Sequence, residues 1–387
     1  MKTSFIYSDN FAKYDYGAEH PLRSFRLKLT YDLIKAYGLL SLPDVPVIQA
    51  IPAAEKYLLL YHTKDYIDML KSLNDGIEIP GVDKYGLGFG DNPVFEGVYE
   101  WSRLVTGASL QAAELVESGA TPIAFNIAGG LHHALASKAS GFCYINDPVI
   151  VISSLLRKGK RVAYIDIDAH HGDGVQDAFY RTNEVLTISL HESGQYLFPG
   201  TGFETEMGEG EGRVYSVNIP MPRSSDDELF VYAFDEVVPS LLKKFKPDIV
   251  VSQLGVDSFI TDPLTHLNYT TNGFCEVVGK IKELSPRWVA LGGGGYDITN
   301  VAKAWTLAWA IMNEVDLPNA LPESFLQQYP LEGFRSRKLR DKEYQQTGAQ
   351  KKKMKTEVSR VISWIKVNVF PLISVSSLKS CLPLRQK

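Results

Sequence analysis

Five short apolar runs punctuate the chain, at residues 123–126, 162–165, 185–190, 249–254 and 288–291. Each is continuous rather than alternating and is bounded by charge or glycine, the pattern of strands buried on both faces. Between them, residues 98–117, 148–157 and 228–245 repeat apolar side chains at helical spacing. Strands alternating with helices predict an α/β domain around a mainly parallel sheet. Ligands of such sheets bind beyond the carboxyl ends of the strands. Asp166, His191, Asp257 and the run Gly292-Gly-Gly-Gly-Tyr296 all follow predicted strands, so one site assembled from several strand ends is expected.

The sharpest break in the apolar pattern is Asp166-Ile-Asp-Ala-His-His-Gly-Asp173. Asp168 and His170 stand two residues apart, and on an extended segment such side chains point the same way. They offer an oxygen and a nitrogen to a zinc-like ion. A catalytic zinc takes three protein ligands and keeps one position open; Asp257 could supply the third. Turn and cap hydrogen bonds are the plainer use of such aspartates, and His191 reads as a packed, satisfied histidine. The adjacent pair His132 and His133 follows a glycine turn. A histidine acting as a base needs its second nitrogen held by an acceptor, and Asp166 and Asp173 could each hold one. The glycine run before Tyr296 lets backbone approach a ligand closely, but it lacks the spacing of a dinucleotide loop. A tyrosine delivered there could donate a hydrogen bond to a polarised carbonyl. Together these groups suit metal-assisted amide hydrolysis.

Composition narrows the setting. With 387 residues, 45% of them hydrophobic, the chain can bury a substantial core in one large domain or two ordinary ones. There is no uninterrupted apolar run of about 18 residues to span a membrane. The N-terminus turns polar too soon for a signal peptide. Cys143, Cys275 and Cys381 are too few and too scattered for a disulfide framework. A soluble, cytoplasmic protein is expected, and a net charge of −5 argues against bulk nucleic-acid binding. The tail changes character: residues 335–355 are rich in Lys and Arg, and the apolar stretch Val361-Ile-Ser-Trp-Ile-Lys-Val follows. The expected division is a catalytic domain over 1–325 and a basic extension over 326–387, partly helical and docked on the domain.

Five motifs then stand together: Gly129-Gly-Leu-His-His-Ala, Ser140-Gly-Phe-Cys-Tyr-Ile-Asn-Asp, Tyr164-Ile-Asp-Ile-Asp-Ala-His-His-Gly-Asp-Gly-Val-Gln, Phe198-Pro-Gly-Thr-Gly and Leu291-Gly-Gly-Gly-Gly-Tyr. In this order they resemble the zinc-dependent histone deacetylase family, most nearly its class I-like bacterial members, the acetoin-utilisation proteins included. The likeness runs from about residue 4 to about residue 315. It implies the arginase-deacetylase fold, a single α/β domain with a central sheet of about eight strands. It implies zinc, with ferrous iron as the other candidate, on Asp168, His170 and Asp257. It pairs His132 with Asp166 and His133 with Asp173, makes His133 the general base and then acid, and assigns Tyr296 to the oxyanion. His171 and His191 match positions that are not ligands.

The same resemblance implies further sites. Gly141, Phe142 and Phe198 would wall a tunnel for the acetyl-lysine stem, and Asp91 at the rim would accept hydrogen bonds from substrate amides. Leu264 matches an apolar rim position that is acidic in polyamine-deacetylating relatives, which leans toward acetylated protein or peptide as substrate. Arg26 matches the lining of an internal channel for acetate. Potassium is implied at Asp166, Asp168, His170, Ser189 and Leu190, and again at Phe179, Thr182, Val185 and Tyr215; hard oxygen ligands fit an alkali ion. The alternatives are an acetylpolyamine or other small amide as substrate, a ureohydrolase, or a silent acyl-lysine binding module. A two-manganese ureohydrolase wants more bridging carboxylates than Asp257-Ser-Phe259 provides, and a silent module usually lacks a ligand, the histidine pair or the tyrosine.

Overall fold

The computed structural model describes residues 3–373 apart from 89, 331, 332 and 335. Cys381 and the last part of the expected extension, from residue 374, lie outside the described residues.

Eight strands form one all-parallel sheet: β1 (Thr3–Tyr7), β2 (Val47–Gln49), β3 (Ile123–Asn126), β4 (Val162–Asp166), β5 (Val185–Glu192), β6 (Ser216–Met221), β7 (Ile249–Gln253) and β8 (Trp288–Leu291), in the spatial order β2-β1-β3-β8-β7-β4-β5-β6. All five strands expected from apolar runs are present. Every residue of β3, β4, β5, β7 and β8 is buried, which is why they read as runs rather than alternations. His191, expected just past its strand, belongs to β5.

Three strands left weaker signals. β1 opens on Thr and Ser, and β2 is a three-residue edge with mostly exposed side chains. β6 carries Asn218 and Pro220; proline is tolerated in a sheet only where its missing N–H is not needed, and β6 is the opposite edge.

The helices Val98–Glu117 and Asp147–Arg157 pack on each other, while Phe25–Ala36, Ile298–Met312, Thr271–Leu284 and Asp227–Phe245 form a second connected row. Val98–Glu117 keeps the bounds its periodicity predicts, and the other two expected helices each begin one residue earlier. In the tail, one helix, Gly348–Asn368, takes in both the lysine run and the apolar stretch. It buries Met354, Val358, Val361, Ile362 and Ile365 and packs against Asp227–Phe245 and β6. Its lysines meet carboxylates: Lys351 lies 3.0 Å from Asp226 and 2.6 Å from Glu228.

Candidate active site

Strand register places the site. Asn126 pairs with Leu291, Leu291 with Gln253 and Gln253 with Asp166, so β3, β8, β7 and β4 end level with one another. The four loops that follow carry the histidine pair, Tyr296, Asp257 and the Asp168–His170 segment into one space.

After β4 the backbone bends rather than staying extended: Asp168 Oδ1 accepts the His170 N–H at 2.9 Å. The two side chains therefore converge through a turn, not through the strand geometry their spacing suggested. His170 Nδ1 lies 3.2 Å from Asp168 Oδ1 and 2.9 Å from Asp257 Oδ2. Potential ligand atoms of these three buried residues all fall within 4.8 Å of one another. The remaining carboxylate oxygens are committed to the protein. Asp168 Oδ2 accepts from Gln253 Nε2 at 2.5 Å and Gly294 N at 2.8 Å, and Asp257 Oδ1 accepts from Ala169 N at 2.8 Å. Such outer bonds orient a carboxylate so that one oxygen points inward. Burial and the charge of Asp168 push Asp257 up to about 6, the strain of two carboxylates sharing one dry space. One nitrogen and two inward oxygens around an anionic hollow are a donor set that fits a divalent cation such as zinc.

The histidine pair lies alongside. His132 Nδ1 is 2.7 Å from Asp166 Oδ2, His133 Nδ1 is 2.7 Å from Asp173 Oδ1, and the two Nε2 atoms are 3.0 Å apart. Asp166 Oδ2 also accepts the Tyr164 hydroxyl at 2.7 Å. The two imidazoles differ electrically. Burial opposes the charge on His132, but Asp166 and Asp168 outweigh it and lift His132 to about 9. Burial and the neighbouring His132 hold His133 below its ordinary 6.5. A charged His132 can donate through Nε2 to a neutral His133, which is what the short Nε2–Nε2 distance requires.

The expected walls close around this centre. The Phe198 ring sits 5.0 Å from His133 and 6.4 Å from His170, and Phe142 sits 5.6 Å from Tyr296. Gly141 has φ +50°, and a Cβ there would come within 2.9 Å of Phe198 and closer still to His133, so the turn needs glycine. Leu22, Arg26, Leu131, Gly293 and Gly294 line one cavity with the histidine pair, Phe142, Asp168 and Tyr296. Arg26 is buried, with Nη1 donating to Gly295 O at 3.0 Å and Nη2 to Gly293 O at 2.8 Å. Its direct partners are thus carbonyls of the Tyr296 loop. Exposed Asp91 accepts through its backbone from His20 Nε2 at 3.2 Å, and half-buried Leu264 donates its N–H to Asp262 at 2.9 Å.

The other expected positions fall as follows. His191 is fully buried, with Nδ1 2.7 Å from Ser189 Oγ and Nε2 2.9 Å from Gly202 O. His171 bonds Thr201 and Gln176, so both histidines have their nitrogens engaged away from the triad. Ser189 pairs with Asp166 across β4–β5, next to Leu190. Phe179, Thr182, Val185 and Tyr215 gather at the other end of β5. The Phe179 carbonyl accepts Thr182 N at 3.2 Å, and the Tyr215 carbonyl accepts Thr187 N at 2.9 Å and the Thr187 hydroxyl at 3.5 Å.

Several supporting residues escaped the sequence reading. Asp147 Oδ1 takes the Leu131 N–H at 2.9 Å, and its Oδ2 takes the Ser109 hydroxyl at 2.5 Å. Asn146 Nδ2 donates to the carbonyls of His132 and Ala134 at 3.0 and 2.9 Å. Together they grip the histidine turn. Asp262 accepts the Tyr296 N–H at 2.9 Å and holds that loop. Asn-Asp-Pro at a helix start signals a cap, which is all that sequence alone could say of Asn146.

A buried Asp–His–Asp cluster and a carboxylate-held histidine pair, at the carboxyl edge of an eight-stranded parallel sheet, define a hydrolase of the α/β class. The histone deacetylase domain matches residues 20–312. The chain belongs to the histone deacetylase family, with the arginase-deacetylase fold. It is 41% identical over 331 residues to the acetoin utilization protein AcuC of Bacillus subtilis (strain 168), covering 83% of this chain and 85% of that one. It is 40% identical over 324 residues to human Histone deacetylase 1, covering 83% of this chain and 66% of that protein. The crystal structure of a histone deacetylase homologue from Aquifex aeolicus superposes with a TM-score of 0.84 at 35% identity, covering 92% of this chain and all (100%) of the other. No helix among the described residues is long and apolar enough to cross a membrane.

Proposed function

We propose that this chain removes acetyl or short acyl groups from acetylated lysine side chains in proteins or peptides, releasing acetate, with one divalent metal held by Asp168, His170 and Asp257. The observation that carries the reading is the histidine pair, each member fixed by its own carboxylate, beside that triad. When bound, the cation supplies Lewis-acid polarisation of the substrate carbonyl. The chain's own residues do the rest. His133, neutral and oriented by Asp173, accepts the proton of the attacking water at Nε2, where the water takes the place of the His132 contact, and returns it to the departing lysine amine. His132, kept charged by Asp166, stabilises the negative charge that develops nearby. Tyr296 donates its hydroxyl proton in a hydrogen bond to the oxyanion.

Phe142 and Phe198 take the methylene stem, worth about 0.8 kcal/mol per buried CH₂. Asp91 accepts hydrogen bonds from substrate backbone amides, and Leu264 leaves a distal ammonium without a partner. Arg26, which lines the same cavity, is positioned to draw acetate inward. Potassium on the carbonyls of Asp166, Asp168, His170 and Leu190 with the Ser189 hydroxyl, and on Phe179, Thr182, Val185 and Tyr215, belongs to the same proposal.

The test is turnover of an acetyl-lysine peptide beside acetylspermidine, before and after chelation and after zinc is restored. Peptide turnover that chelation abolishes and zinc restores supports the reading. Preference for acetylspermidine would overturn the protein substrate, and full activity in metal-free protein would overturn the metal.

A further inference from the structure

β5 ends on Glu192, whose side chain is completely buried. A buried carboxylate is costly unless it is paired, and Glu192 is paired three times. Its Oε1 accepts from Arg223 Nε at 3.2 Å and His266 Nδ1 at 3.1 Å, and its Oε2 accepts the His266 backbone N–H at 2.8 Å. The two side chains it holds are not buried: Arg223 is 44% exposed and His266 48%. Arg223 spends only Nε on Glu192. Its Nη2 lies 3.4 Å from His266 Nε2, and its flat face covers the Tyr196 ring at 5.0 Å. A guanidinium fixed by its inner edge and stacked on an aromatic face keeps its outer N–H groups preorganised, in the fork that matches a carboxylate.

This cluster adjoins the tunnel mouth on two sides. Tyr196 is two residues from Phe198 on one turn, where the N–H groups of Tyr196 and Leu197 both reach Ser193 O, at 2.9 and 3.3 Å. His266 is two residues past Leu264, and Ser224 N donates to His266 O at 2.7 Å, tying the Arg223 segment to that rim. Across the mouth, Asp91 stands beyond Phe142, joined through His20, whose ring is 4.6 Å from Phe142. The mouth therefore has the Asp91 carboxylate next to Phe142 and the outward N–H edge of Arg223 on the Phe198 side.

We propose that Arg223, braced with His266 on buried Glu192, is a specificity-determining residue that receives an acidic side chain flanking the acetylated lysine. This rests on the acetyl-lysine reading above. A peptide whose backbone is held by Asp91 lays its neighbouring side chains over the opposite rim, where a carboxylate meets the outward N–H donors of Arg223 and an ammonium meets no acceptor there.

The experiment compares kcat/KM of the metal-loaded protein for acetyl-lysine peptides carrying Asp, Gln or Lys at each of the two positions on either side. At low salt, the best acidic flank should exceed the matching lysine flank by roughly three- to tenfold, as one solvent-touching charge contact allows. The ratio should shrink at about 1 M salt, where screening falls to ~3 Å. In Arg223→Gln the ratio should approach one, with the change in KM rather than kcat. Should that variant fail to fold because Glu192 loses its partner, Glu192→Gln/Arg223→Gln removes charge and partner together and carries the same comparison. Equal turnover of acidic and basic peptides by the native protein, or an undiminished ratio in both variants, overturns the role of Arg223 alone. Failure to turn over any peptide overturns it together with the reading it rests on.

Discussion

Tyr296 arrives at the site because two glycines with φ +142° and +139° carry the backbone through conformations other residues rarely adopt, while Gly294 N binds Asp168 directly. Its hydroxyl is kept protonated by burial, with Asp257 and Asp168 adding to the effect, so it is a donor throughout the neutral range. Tyr296→Phe should keep fold and metal content but lower kcat by roughly 10²–10³, the usual worth of one donor to a developing oxyanion; an unchanged kcat in steady-state assays would remove it from the mechanism. At the rim the decisive comparison is between substrates. Asp91→Ala should cost peptides much more than acetylpolyamines, because only peptides present backbone amides. Leu264→Glu should narrow the gap by giving the polyamine cation a partner. Equal loss on both substrates in kcat/KM would detach Asp91 from peptide recognition.

At the level of elements, the helix Asp147–Arg157 does more than cover the sheet: its first residues hold the histidine turn in place. Burial raises Asp147 from its ordinary 3.8 to about 6, despite the bonds from Ser109, Leu131 and Gly130. The sign follows by linkage. Between about pH 4 and 6 the folded protein binds the proton that the unfolded chain has released, so this group's contribution to stability falls as pH rises through that window and is level above it. Asp147→Asn keeps one acceptor oxygen and loses the other, so Leu131 and Ser109 cannot both be served as before, but it has no charge to bury. In urea unfolding the variant should therefore be destabilised more at about pH 4.5 than at about pH 7; the reverse order would mean that Asp147 is not held in this way. The motif containing Asn146-Asp147 was legible as part of a family resemblance. Its job was not, because the Leu131 and Gly130 amides it serves come from a different loop.

For the molecule as a whole, the helix Gly348–Asn368 closes one flank of the sheet. It lies against β6, the outermost strand, and an uncovered strand edge invites pairing with other chains. Five buried apolar side chains anchor it, each worth about 1.5–3 kcal/mol on burial. Val361→Asp with Ile365→Asp should lower the melting temperature and bring concentration-dependent self-association in light scattering. A variant as stable and monodisperse as the parent would make the helix a passive appendage. Apolar runs alone sufficed for the α/β class and the five innermost strand runs, because strands covered on both faces leave no polar positions to blur the signal. The chemistry-bearing residues were visible too, since carboxylates and histidines seldom follow buried strands without cause. Tertiary structure decided the rest. β1 opens on Thr and Ser, β6 carries Asn218 and Pro220, and the edge strand β2 is three residues long and mostly exposed, so none of the three announces itself as an apolar run. Asp168 and His170 meet through a bend that spacing cannot distinguish from a strand. Gln253, Asp147, Asp262 and the Glu192–Arg223–His266 brace acquire their roles only from partners on other loops, brought to one level by strand register.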